Sequence, residues 1–103
     1  MIQLPGRGSK AHCYCYILEC ADGSFYTGWT VDPDRRIRAH NAGRGSRYTR
    51  SRRPVRLVLL EVEKDRISAM RRERAIKAWP RDRKIRLIAS QGDGSIAPRR
   101  RKK

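Results

Sequence analysis

Acidic residues are scarce in this chain: 10 Asp and Glu stand against 26 Lys and Arg, giving 103 residues a formal charge of +16. Self-repulsion of that size opposes a compact state and calls for a partner of opposite sign. The pI of about 11.2 lies above the ~9 that marks a nucleic-acid-binding domain. No apolar run approaches the ~20 residues of a membrane span, and no basic helix shows a broad apolar face for a lipid surface. A membrane partner is therefore not expected. The first ten residues are polar and contain glycine, unlike the apolar core of a signal peptide. Cysteine is limited to Cys13, Cys15 and Cys20. An odd count excludes a closed disulfide framework, and the lack of a Cys-x-x-Cys pair removes the usual zinc spacing. Buried, reduced thiols in a cytoplasmic protein are the expectation.

What is present is an ordered series of short elements in a chain long enough for one domain. Residues 13–20 are aromatic, β-branched and apolar enough for a buried strand, and residues 24–29 return as a second. Asp32 is placed to cap a helix with Pro33 at its first position, and Gly43 to end it in a left-handed conformation. After a basic loop over 44–54, residues 55–62 form the most apolar strand. Asp65 caps a longer helix through about Trp79, Pro80 punctuates it, and residues 81–89 suggest a last short helix. The order β-β-α-β-α-α predicts an α+β fold, a small mixed three-stranded sheet flanked by helices. Residues 1–12 are expected to be a flexible arm, 13–90 the domain, and 91–103 a disordered basic tail.

The turn between the first two strands decides what the tyrosines can do. A two-residue loop at Asp22-Gly23 would put Tyr16 and Tyr26 on opposite faces of the sheet. A three-residue loop with Gly23 in the left-handed bulge position sets Tyr16 opposite Gly28 and diagonal to Tyr26, on one face. The three-residue loop is the expectation. Gly28 then leaves room for a phosphate or for the neighbouring phenols.

Arg36 and His40, four residues apart on a helix, project together. Glu73, an acid among arginines, falls between Ala69 and Met70 by helical spacing, toward the side that packs. Such a carboxylate either forms a salt bridge with those arginines or serves as a hard oxygen ligand for Mg²⁺ or Mn²⁺, which often take one or two carboxylates plus water and phosphate. The loop residues Arg44, Arg47, Tyr48, Arg50, Arg52 and Arg53, with Lys77, form the candidate nucleic-acid surface: arginines follow phosphates, and Tyr48 offers a stacking face.

The segments YCYILECADGSFYTGWTVDPDRRIRAHNAGRGSRYT and SAMRRERAIKAW together resemble the GIY-YIG nuclease family, with YCY and YTG in the places of its two triplets. The resemblance covers about residues 13 to 89 and is closest to short stand-alone bacterial members. It implies that Tyr16 and Tyr26 line the site, Arg36 contacts the scissile phosphate, His40 supports or transfers a proton, and Glu73 binds one divalent metal, Mg²⁺ or Mn²⁺. The implied activity is metal-dependent endonuclease cleavage of DNA rather than RNA, in repair or processing, by a monomer without a small-molecule cofactor. The alternative is a non-catalytic DNA- or RNA-binding protein that keeps the fold. Two positions depart from the pattern. The first triplet lacks its glycine and isoleucine, and Trp29 follows Gly28 where several branches carry a lysine.

Overall fold

Gly23 sets the register on which the sheet is built. In the computed structural model, which describes residues 12–91, its φ is +86°, a conformation that side chains rarely adopt. Its N–H donates to Cys20 O at 2.9 Å, and Cys20 N–H donates to Ser24 O at 2.8 Å. The three-residue loop therefore forms as expected. It joins β1 (Cys13–Glu19) to β2 (Phe25–Thr30) and sets Tyr16 opposite Gly28.

The chain continues through α1 (Pro33–Asn41), α2 (Arg47–Arg50), β3 (Arg56–Glu63), α3 (Arg66–Lys77) and α4 (Arg81–Ser90). The α+β class is as expected, and so are both acidic caps. Asp32 accepts from Arg35 N–H at the start of α1, and Asp65 from Ser68 N–H at the start of α3. Gly43 has φ +86° just beyond α1, the left-handed exit that the sequence suggested. Two points differ. The basic loop contains a one-turn helix, α2, whose N-cap Ser46 accepts from Thr49 N–H at 3.1 Å. The sheet is antiparallel throughout rather than mixed, because its order is β2-β1-β3. The connection through α1 and α2 does run β2 and β3 in the same direction, but β1 lies between them, so the parallel strands never pair.

Side-chain alternation along β1 divides the domain. Cys15 and Ile17 face Leu59, Ile76 and Ile88 in an apolar layer under α3 and α4. Tyr16 and Leu18 face the other way, with Ile37 of α1, Tyr26 and Val55. Asn41 ties the end of α1 to the start of β3: its carboxamide accepts from Val55 N–H at 2.7 Å and donates to Val55 O at 3.1 Å. Gln91 makes the same two-bond contact with Leu60 on the free edge of β3. Apart from His12 and Gln91, the expected arm and tail lie outside the described residues. Among the described residues, no helix is long and apolar enough to cross a membrane.

Candidate active site

The strand register brings Tyr16 and Tyr26 to one face, with ring centroids 6.4 Å apart. Gly28 makes this possible, since a Cβ there would lie 2.6 Å from the Tyr16 hydroxyl. The phenol thus occupies the space the missing side chain leaves. From α1, His40 meets both rings, its centroid 6.0 Å from Tyr16 and 4.9 Å from Tyr26. Its Nε2 is 3.0 Å from the Tyr16 hydroxyl. Tyr16 is 1% exposed and His40 fully buried, whereas Tyr26 is half-buried. The two tyrosines differ in access to water, which their spacing in the sequence did not reveal.

The far side of His40 is anchored by residues that sequence reasoning missed. Nδ1 lies 2.8 Å from Thr49 Oγ1, and Thr49 Oγ1 lies 3.0 Å from Ser46 Oγ. Gly45 lies directly against the ring: a Cβ there would come within 2.2 Å of Nδ1. The only sequence signal was Ser46, a capping residue, because a one-turn helix shows no periodicity. Burial, and then the charge of Arg36, push His40 down to about 4 from its ordinary 6.5. Near neutral pH the imidazole is uncharged, and each ring nitrogen faces a hydroxyl able to donate or accept. Burial also pushes Tyr16 up to about 12, against the downward pull of Arg36.

Arg36 is held toward this group by a 2.8 Å bond from its Nη2 to Gly45 O. Glu73 comes from α3, half-buried as its helical position suggested, and its charge acts on Tyr16. Its Oε2 pairs with Lys77 Nζ at 3.0 Å. Lys77 Nζ also lies 6.0 Å from the Tyr26 ring centroid, so this residue belongs beside the tyrosines as much as on the outer surface. Among the described residues, no group of three or more His, Cys, Asp or Glu side chains converges. A lone carboxylate suits a hard divalent cation whose remaining ligands would be water and phosphate, and Mg²⁺ or Mn²⁺ fits that donor set. Cys15 is pushed up to about 12, chiefly by burial and then by Glu61, and Cys20 is also raised by burial. Cys15 and Cys20 are thus buried as expected, whereas Cys13 is only partly covered.

The loop arginines divide into two kinds. Arg52 donates to Tyr48 O at 2.8 Å, pairs with Asp22 at 3.2 Å and lies 3.9 Å over the Tyr48 ring. Arg53 donates to the carbonyls of Arg50 and Asn41. Both guanidinium groups fasten the loop. Among the described residues, the side chains of Arg44, Arg47 and Arg50 make no hydrogen bond or ion pair, and all three are exposed. Tyr48 stacks against Tyr26 at 6.2 Å, which brings the loop to the edge of the tyrosine pair.

Comparison with known proteins fits this geometry. A family model described as the GIY-YIG catalytic domain matches residues 12–86. A UPF0213 protein of Haloquadratum walsbyi is 51% identical over 80 residues, 78% of this chain and 90% of that protein. Another, from Staphylococcus haemolyticus, is 48% identical over 75 residues, 73% of this chain and 92% of the relative. The solution NMR structure of a UPF0213 protein from Bacillus halodurans superposes with a TM-score of 0.53 at 46% identity, covering 81% of this chain and 88% of that one.

Proposed function

The chain belongs to the GIY-YIG catalytic domain family, and we propose that it is a divalent-metal-dependent endonuclease that hydrolyses phosphodiester bonds in DNA during repair or processing. The observation that carries this reading is the buried Tyr16–His40 contact beside Tyr26, with Arg36 held next to it. A structural tyrosine layer needs no arginine aimed at it and no neutral histidine. The net charge of +16 supports a nucleic-acid substrate. Its free thiols support a reducing, cytoplasmic setting.

The chain's own residues divide the chemistry. Arg36 binds the scissile phosphate and neutralises charge that grows on it. Tyr26, the half-buried phenol, gives its own proton to bulk water and, as the phenolate, takes one from the attacking water, while the leaving oxygen is protonated from bulk water; Tyr16 has no room to meet a water. Tyr16 and His40 hold the second ring in place. Burial pushes Tyr16 up and His40 down, so the proton stays on Tyr16 in the resting site. His40 therefore works as a neutral hydrogen-bonding post, fixed by Thr49. A cation held by Glu73 would supply further positive charge at the phosphate and the leaving oxygen. Lys77, paired with Glu73 at 3.0 Å, would have to release that carboxylate for a cation to be held there, which would leave its ammonium free for a DNA phosphate.

The test is nicking of plasmid and branched DNA in Mg²⁺ or Mn²⁺ by the parent, Glu73→Ala and Arg36→Ala. Each variant should lose about 10²–10³-fold in cleavage while still binding DNA. A variant that cuts like the parent removes the role given to that residue. Tight binding without cleavage by the parent would favour the binding protein instead.

A further inference from the structure

Arg36 also borders an open cleft between α1 and the loop that follows it, which neither tyrosine lines. Arg35, Arg36, Arg38 and Arg44 line it, with Val31 just beyond β2 and Asp32, whose carboxylate is engaged as the α1 cap by Arg35 N–H. Arg36 is the shared wall: the same side chain acts on Tyr16 and His40 and borders the cleft. The other three arginines are not equivalent. Arg38 is paired with Asp34 at 2.6 Å, which satisfies much of its charge. Arg35 and Arg44 are exposed and, among the described residues, their side chains make no hydrogen bond or ion pair. Two free guanidinium groups on the rim of one cleft repel each other unless an anion lies between them. Val31, 56% exposed at the same place, gives an apolar surface suited to a sugar.

We propose that this cleft is a second phosphate site, in which Arg35 and Arg44 hold the phosphodiester next to the scissile one on the same DNA strand. The placement rests on the reading of Arg36 as the scissile-phosphate ligand. A strand crossing Arg36 then has its neighbouring phosphate at the mouth of the cleft, and the intervening sugar lies on Val31. The arrangement makes two consecutive phosphates the smallest unit that the protein grips well. A lone phosphodiester engages Arg36 and leaves the two outer arginines empty.

Short ligands test this with few binding registers. In EDTA, the affinities of a thymidine dinucleoside monophosphate and a trinucleoside diphosphate are measured by NMR titration for the parent and for Arg35→Gln/Arg44→Gln. The second phosphate should tighten parent binding by about tenfold, the gain from one charge-assisted contact. In the double variant that gain should fall to about twofold or less, and the Arg35 and Arg44 Nε–H signals of the parent should shift with the longer ligand only. An equal gain in both proteins would overturn the cleft assignment. Cleavage is read separately, on longer DNA in Mg²⁺. A gain lost in the double variant with no cleavage by the parent leaves the cleft standing and sinks the nuclease. Cleavage by the parent with an unaffected gain sinks the cleft alone. Both substituted residues are exposed, so matching circular dichroism spectra are expected.

Discussion

On the sheet face under α3 and α4, several arginines are absorbed into the structure. Arg72 binds Glu61 through two bonds of 2.7 and 3.0 Å, Arg83 lies 3.8 Å over the Trp79 ring, and Arg81 lies 4.5 Å over Phe25. The opposite face buries Tyr16, His40 and Thr49, polar groups that must bond one another, and surrounds them with arginines such as Arg44, Arg47 and Arg50, whose side chains make no hydrogen bond or ion pair among the described residues. The difference teaches where stability and function separate. One face gains from apolar burial and stacked cations; the other holds desolvated phenol and imidazole groups against uncompensated charge.

Substitutions on the two faces should separate these roles. Ile76→Ala, in the apolar layer, should lower unfolding free energy by about 2–5 kcal/mol and leave metal-dependent cleavage by the folded fraction near the parent's. Gly45→Ala should cost about 1–3 kcal/mol, the range for forced overpacking, and cleavage should fall further than stability, because the new methyl must displace His40. Denaturant titration and single-turnover cleavage on both variants check this. Equal loss of cleavage in the two would show that the faces are not separable.

Acid should act on the polar face more than on the apolar one. His40 has its folded pKa lowered from 6.5 to about 4, so the unfolded chain binds more protons between those values. Its contribution is complete above about 6.5 and is lost as pH falls toward 4, up to about 3 kcal/mol. Arg36, Tyr16, Tyr26 and Thr49 surround the ring, and the charge of Arg36 adds to burial in holding it neutral. Denaturant midpoints measured from pH 7 to pH 4 should therefore fall less steeply in His40→Gln than in the parent. Matching slopes would show that His40 is not held neutral by its surroundings.

The hairpin was legible because one glycine and one register fix which residues share a face, and Asp32, Pro33 and Asp65 announced their helices. The basic loop over 44–54 was legible only as charge. Its single turn of helix carries Thr49 under His40, and four residues are too few for a periodic pattern. Likewise Lys77, read as an outer cation, lies four residues from Glu73 and curls back to it. The mixed sheet failed for a topological reason: strand directions follow from the connections, but which strand lies in the middle depends on the long-range pairing of β3 with β1.

The central claim is that the polar face is a reaction centre in which Tyr26 meets the water. Single-turnover cleavage of labelled DNA in Mg²⁺ or Mn²⁺, comparing the parent with Tyr26→Phe, tests it most directly, since phenylalanine keeps the ring packing and removes only the hydroxyl. The account predicts a fall of about 10²–10⁴-fold, the usual share of general-base help, with unchanged DNA affinity. Cleavage by Tyr26→Phe at the parent's rate would contradict it.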